Sequence, residues 1–197
     1  MKIRIGITGG IGSGKSVVSH LLELMGIPIY ISDIEARSLM LKDEHIRQGL
    51  VDLLGEDVYV QQQLNKRLLA SYLFDNQSHA ALINAIVHPR VKEDFRRWAE
   101  SHSSSALVGI ESAILYEAGF QDEVDMVVMV YAPEEIRVAR AMQRDGVSRE
   151  DVVRRVHSQM NDEEKRMKAD EIIVNDGKTP LIPQIIKLLQ KLSAEIL

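Results

Sequence analysis

Four glycines within six residues, followed at once by a lysine and a serine, make Gly9-Gly10-Ile11-Gly12-Ser13-Gly14-Lys15-Ser16 the most chemically loaded stretch of the chain. The spacing Gly9-x-x-x-x-Gly14-Lys15-Ser16 is that of a P-loop. Its glycines let successive backbone N–H groups, those of Ile11 and Ser13 among them, turn around a phosphate without Cβ clashes. Lys15 reaches the terminal phosphates as a point charge, the Ser16 hydroxyl ligates Mg²⁺, and the start of the following helix adds partial positive charge.

Further candidates lie where apolar runs stop. Asp33 follows the run Ile27-Pro28-Ile29-Tyr30-Ile31. Two roles fit it: a general base or magnesium partner at the rim where ligands bind, or a cap for a helix beginning at Ile34. Glu111, after 106–110, suits metal ligation or a water bridge to Lys15, and equally a strand-end ion pair. Asn175 and Gly177, at the end of 171–175, would line an adenine pocket or form a plain turn. Arg137, Arg140 and Arg144 recur at spacings of three and four, on one side of a helix, with Arg140 and Arg144 favoured for a phosphate. They form either a solvated charged face or a mobile lid whose guanidinium groups close on transferring phosphates. His88, before Pro89, reads as a helix-start residue or a surface histidine.

The elements that must position these groups follow from periodicity. Apolar, β-branched runs before Gly9 and at 27–31, 106–110, 126–131 and 171–175 predict buried strands of a parallel sheet. A helix from Lys15 stops at Gly26, Pro133 opens another, Ser148-Arg149-Glu150-Asp151 resembles a capping box, and Thr179-Pro180 starts the last helix. Between Ile34 and about His102 the pattern is helical with no strand signal, and Pro89 is expected to open the final helix of that stretch. So long an insertion exceeds a simple crossover and predicts an inserted helical subdomain facing the ligand rim.

At 197 residues the chain suits one α/β domain with embellishments. Its 45% hydrophobic and 27% charged residues exclude disorder, and a net charge of −5 argues against a general nucleic-acid binder. The chain has no cysteine, which excludes disulfides and thiolate metal sites and suits the cytoplasm. Met1-Lys2 leads straight into the first strand, so neither a signal peptide nor a membrane span is expected. A guanine-reading Asn-Lys-x-Asp is missing, since Asn65-Lys66-Arg67-Leu68 lacks the aspartate, and neither Ile110-Glu111 nor Val130-Tyr131 ends a strand in Asp. These absences disfavour a GTPase switch and a motor ATPase, and small size, a helical insert after the second strand and an arginine-rich hairpin late in the chain favour a small-molecule kinase.

The P-loop, Asp33-x-x-Ala36-Arg37, His88-Pro89, Leu115-Tyr116-Glu117, Gln143-Arg144-Asp145, Arg155 with Gln159, and Ala169-Asp170 leading to Asn175-Asp176-Gly177 resemble, in order, the motifs of the dephospho-CoA kinase family. The resemblance implies a P-loop kinase of α/β class with a five-stranded parallel sheet flanked by helices. It would comprise a core of 1–33, 103–136 and 169–197, a helical acceptor-binding insert of 34–102 and a helical lid of 137–168. The implied reaction moves the γ-phosphate of ATP, with Mg²⁺, to the ribose 3′-hydroxyl of dephospho-CoA, giving coenzyme A and ADP. In that picture Asp33 is the base, Arg37, His88 and Glu117 bind the acceptor, and Arg140 and Arg144 act from the lid. The implied partners are these small molecules, with no nucleic acid and no membrane. Two departures stand out: Ile31-Ser32-Asp33 where the family often has Asp-Ala-Asp, and Ala113 where it has proline. The alternatives are a kinase for another nucleotide-like acceptor and a catalytically silent ATP-binding protein.

Overall fold

The computed structural model describes residues 2–196; Met1 and Leu197 lie outside the described residues. In chain order the strands and helices are β1 (Ile3–Thr8), α1 (Lys15–Leu24), β2 (Ile29–Ile31), α2 (Ser32–Lys42), α3 (Glu44–Leu54), β3 (Tyr59–Val60), β4 (Gln63–Leu64), α4 (Lys66–Asp75) and α5 (Gln77–Ser101). There follow β5 (Leu107–Glu111), β6 (Met126–Tyr131), α6 (Glu134–Asp145), α7 (Arg149–His157), α8 (Asp162–Lys168), β7 (Glu171–Val174) and α9 (Leu181–Ile196). They divide into two units, residues 1–31 with 98–197, and Ser32–Arg97.

The first unit is built on a parallel sheet of five strands in the order β2-β5-β1-β6-β7, as the buried β-branched runs predict. β1 lies in its middle, and Ile5 and Ile7 are fully buried there. Val18 and Leu22 of α1 and Ile185, Leu188 and Leu192 of α9 close over Ile5, Ile7, Val128, Val130 and Ile173 to make the core. Glycine lets side chains approach the sheet: a Cβ on Gly6 would stand 2.6 Å from Leu115 Cδ1, and one on Gly109 would stand 2.6 Å from Ile29 Cδ1. Because all five strands run the same way, the ends of β1, β2, β5, β6 and β7 that precede Gly9, Ser32, Ser112, Ala132 and Asn175 form one rim.

The second unit is mainly helical. Ile83, Val87 and Val91 repeat every four residues along α5 and are buried, as are Ile46 and Leu50 of α3. Asp43 caps α3 by accepting from Ile46 N–H at 3.0 Å, and its carboxylate takes Arg90 Nε and Nη2 at 3.0 and 2.8 Å.

Three local expectations are corrected. The stretch from 34 to 102 does contain strands: β3 and β4 pair as an antiparallel hairpin, turning through Gln61 and Gln62 at φ 49° and 63°. Two-residue hairpin turns require such angles, but glutamine is a rare occupant and gave no turn signal. Pro89 does not open a helix but lies inside α5, where the buried stripe on either side of it outweighs one missing hydrogen bond. Finally, α2 starts at Ser32 rather than Ile34, so Asp33 sits in its first turn.

Leu22 is fully buried between α1 and the sheet. Leu22→Ala is expected to lower unfolding free energy by about 2–5 kcal/mol in urea titration, and a change under 1 kcal/mol would contradict this core assignment.

Candidate active site

The loop between β1 and α1 is shaped by what surrounds it. Gly12 has φ 79°, and a Cβ there would stand 2.1 Å from the backbone oxygen of Arg137 on α6. Gly14 has φ 92° and would collide with Asn175 Nδ2 at 2.1 Å. The absent side chains therefore serve two ends, a left-handed backbone and room for neighbouring elements. Asn175 Nδ2 donates to Ser13 O at 2.8 Å, while its own carbonyl accepts from Arg140 Nη1 at 3.0 Å. The end of β7, the start of α6 and the phosphate loop are thus joined in one chain of contacts.

Lys15 Nζ donates to Gly10 O at 3.4 Å, and Ser16 is exposed in the first turn of α1. Near the rim, Thr8 Oγ1, Ser13 Oγ, Glu111 Oε2 and Ser112 Oγ are buried with no hydrogen-bond partner. Buried polar atoms are rarely left so. The register sets Glu111 beside Ile7 and Ile31, at the carboxyl ends of their strands. Among the described residues no three His, Cys, Asp or Glu side chains converge as a metal cage. The exposed Ser16 hydroxyl at the start of α1 is an oxygen donor of the kind that suits Mg²⁺, an ion commonly bound to nucleotides through few protein ligands.

The three arginines of α6 differ. Arg137 is only 3% exposed, its Nε 3.2 Å from Asp162 Oδ2 and its Nη1 donating to Ile11 O at 3.4 Å. Burial pushes the Asp162 carboxyl upward, against the pull of Arg137, Lys165 and Lys15. Arg140 supports Asn175, as above. Arg144 is surface-exposed on Asp145, which Arg155 also holds; these two guanidinium groups keep the Asp145 carboxyl well below the usual range. Sequence spacing placed all three on one side without separating them; Arg140 and Arg144 were favoured over Arg137, whose partner lies 25 positions away. Glu117 accepts from Met160 N–H at 2.7 Å and pairs with the fully buried Lys165 at 2.9 Å, while Lys165 also donates to Ala113 O. Gly177 has φ 80° and lies near Arg140.

The remaining candidates, Asp33, Arg37 and His88, belong to the second unit. Asp33 and Arg37 are exposed one turn apart on α2, so they share a face. His88 is half-buried on α5, and burial, with the Lys92 charge, lowers its imidazole pKa.

The sequence profile described as dephospho-CoA kinase matches residues 3–180. A dephospho-CoA kinase of Bacteroides fragilis is 56% identical over 196 residues, which cover 100% of this chain and 96% of that one. The chain belongs to the dephospho-CoA kinase family. A crystal structure of a Thermus thermophilus protein, 34% identical, superposes with a TM-score of 0.76 over 100% of this chain and 98% of that one. The dephospho-CoA kinase of Campylobacter jejuni, 22% identical with a TM-score of 0.71 over the whole of both chains, shares the fold. In this member of the dephospho-CoA kinase family the phosphate loop keeps all four glycines, Lys15 and Ser16, while the loop after β5 carries Ala113 and the segment before α2 carries Ile31. No described helix is long and apolar enough to cross a membrane.

Gly12→Ala is expected to weaken nucleotide binding at least about tenfold in titration calorimetry, because the added methyl meets backbone rather than a flexible side chain. Binding at the parent affinity would refute that steric account. NMR titration of His88 should give a midpoint below that of an unperturbed histidine, and a midpoint above it would overturn burial and the Lys92 charge as the controlling influences.

Proposed function

We propose that the chain transfers the γ-phosphate of ATP to the ribose 3′-hydroxyl of dephospho-CoA, forming coenzyme A and ADP, the last step of coenzyme A synthesis. The reading is carried by the Gly9-x-x-x-x-Gly14-Lys15-Ser16 loop, in a chain matching the dephospho-CoA kinase profile from residue 3 to residue 180. Gly9 to Ser16 would hold the donor's β- and γ-phosphates through loop N–H groups other than those of Ile11 and Ser13, which Gln159 and the Gly10 carbonyl already occupy, with Lys15 leaving the Gly10 carbonyl for a phosphate oxygen. Asn175, held beside the loop by Arg140 and by its bond to Ser13 O, and Gly177, two residues on, would flank the adenine.

Asp33, exposed in the first turn of α2, would accept the proton of the 3′-hydroxyl as that oxygen forms its bond to the γ-phosphorus and the bond to the β,γ-bridging oxygen breaks. The proton then leaves to solvent. Arg37, on the same face, and His88, whose imidazole pKa burial lowers, would bind the acceptor. Glu117 would reach the acceptor by exchanging its Lys165 and Met160 contacts. Mg²⁺ on Ser16 would supply charge neutralisation on the phosphates.

We assign residues 137–168 as a lid and residues 34–102 as the acceptor-binding insert. Arg144, exposed and paired with Asp145 at the surface, would exchange that carboxylate for a phosphate, leaving Asp145 to Arg155. Arg140 is engaged with Asn175 and would act on the phosphates from there. A cysteine-free chain suits a reducing compartment, and we place the reaction in the cytoplasm.

With ATP and Mg²⁺, the chain should convert dephospho-CoA in preference to nucleosides and nucleoside monophosphates. Asp33→Asn should lower kcat by roughly 10²–10⁴-fold, with both KM values within a few-fold of the parent. Turnover near the parent rate in Asp33→Asn would remove Asp33 as base, and a preferred nucleoside acceptor would overturn the substrate assignment.

A further inference from the structure

Residue 11, inside the phosphate loop, is gripped from outside the loop at three points. Its side chain packs against the small core formed by Val138, Ala141 and Val152 of the α6–α7 hairpin. Its carbonyl accepts from Arg137 Nη1 at 3.4 Å, and its N–H donates to Gln159 Oε1 at 3.3 Å. A trans peptide points its C=O and N–H in opposite directions. Holding the Ile11 carbonyl on Arg137 therefore turns the Gly12 N–H the other way. Holding the Ile11 N–H on Gln159 turns the Gly10 carbonyl away from Gln159, and that carbonyl accepts from Ser13 N at 3.1 Å and Lys15 Nζ at 3.4 Å.

Arg137 is itself buried. Asp162 pairs with it in a nearly dry setting, and its guanidinium fills the space over Gly10, where a Cβ would stand 2.0 Å from Nη1. We propose that Arg137 and Gln159 are positioning residues for the phosphoryl donor: from the α6–α7 side they set two successive peptide planes of the phosphate loop, and with them the affinity for the donor's phosphates. The proposal rests on Gly9–Ser16 being the donor site. An Ile11–Gly12 peptide released from Arg137 can rotate and present a carbonyl, in place of an N–H, to an anion. Neither side chain needs to touch substrate for this, so the loss falls on the donor and not on the acceptor.

The test compares steady-state kinetics of three variants with ATP and dephospho-CoA, alongside melting temperatures. Arg137→Met removes the donor to Ile11 and strands Asp162. It should raise the KM for ATP about tenfold or more, keep the KM for dephospho-CoA within about twofold, and lower the melting temperature. Arg137→Met with Asp162→Leu replaces the ion pair by apolar packing, which restores stability in many buried pairs. Its melting temperature should recover while its KM for ATP stays high. A KM for ATP that recovers with stability, or a KM for dephospho-CoA that rises in step, overturns the proposal. Gln159→Leu, at a half-exposed position, supplies the same test should the Arg137 variants not fold. A several-fold rise in the KM for ATP alone supports the proposal, and an unchanged value overturns it. Lys15→Ala separates the two readings. If it keeps the parent kinetics, the donor-site reading falls. If it loses turnover while the Arg137 and Gln159 variants behave as the parent, only the positioning proposal falls.

Discussion

The close approach of α6 to the phosphate loop is the constraint on which the rest of the first unit depends. With the Arg137 carbonyl where a Gly12 side chain would be, loop and helix occupy nearly the same space, and only backbone fits between them. Glycine alone tolerates both the contact and the left-handed angle. The parallel sheet supplies this proximity, because β1 and β6 are neighbours and their following segments leave the same rim. Asn175, one strand further out, presses on Gly14 in the same manner. A phosphate-binding concavity therefore arises from the order of three strands as much as from its own residues.

Charge is handled locally. A chain of net charge −5 gathers Lys15, Arg137 and Arg140 around one short loop, and each has a hydrogen-bonding partner: Gly10, Ile11 and Asn175 respectively. Two ion pairs, Arg137 with Asp162 and the buried Lys165 with the half-buried Glu117, fasten α8 to its surroundings within its first turn. Such pairs gain little net stability after desolvation, but breaking either partner leaves a buried charge, so they define one arrangement more firmly than they stabilise it.

Local features were legible in the sequence and distant partnerships were not. The glycine spacing, the β-branched runs and the Ser148 cap each depend on neighbours within a few residues, and the structure reproduces them: Ser148 Oγ accepts from Asp151 N–H at 3.1 Å. The hairpin of β3 and β4 escaped because each strand has two residues and its Gln61-Gln62 turn carries neither glycine nor asparagine. Pro89 misled because local preference favours a helix start, whereas Ile83, Val87 and Val91 impose one continuous buried stripe. In the site, Lys15 and Ser16 were plain from spacing. Arg137 was visible only as the first of three similar arginines, since its significance lies in Gly10, Ile11 and Asp162, none of which is near it in the chain. Glu117 was singled out through family resemblance, and its observed partners, Lys165 and Met160, lie more than forty residues downstream.

The central place of β1 also bears on how the molecule is made. Its hydrogen-bonding neighbours, β5 and β6, begin at Leu107 and Met126, and the loop's outer brace, Asn175, comes 162 positions after Ser13. A ribosome delivers the glycine-rich segment first and its supports last, and non-local pairings of this kind form slowly. The nascent chain therefore carries the phosphate-binding residues for most of its synthesis without the architecture that shapes them. Competence to bind a nucleotide arrives late, nearly together with completion of the sheet, so the ligand meets a finished protein and stabilises the folded state by mass action.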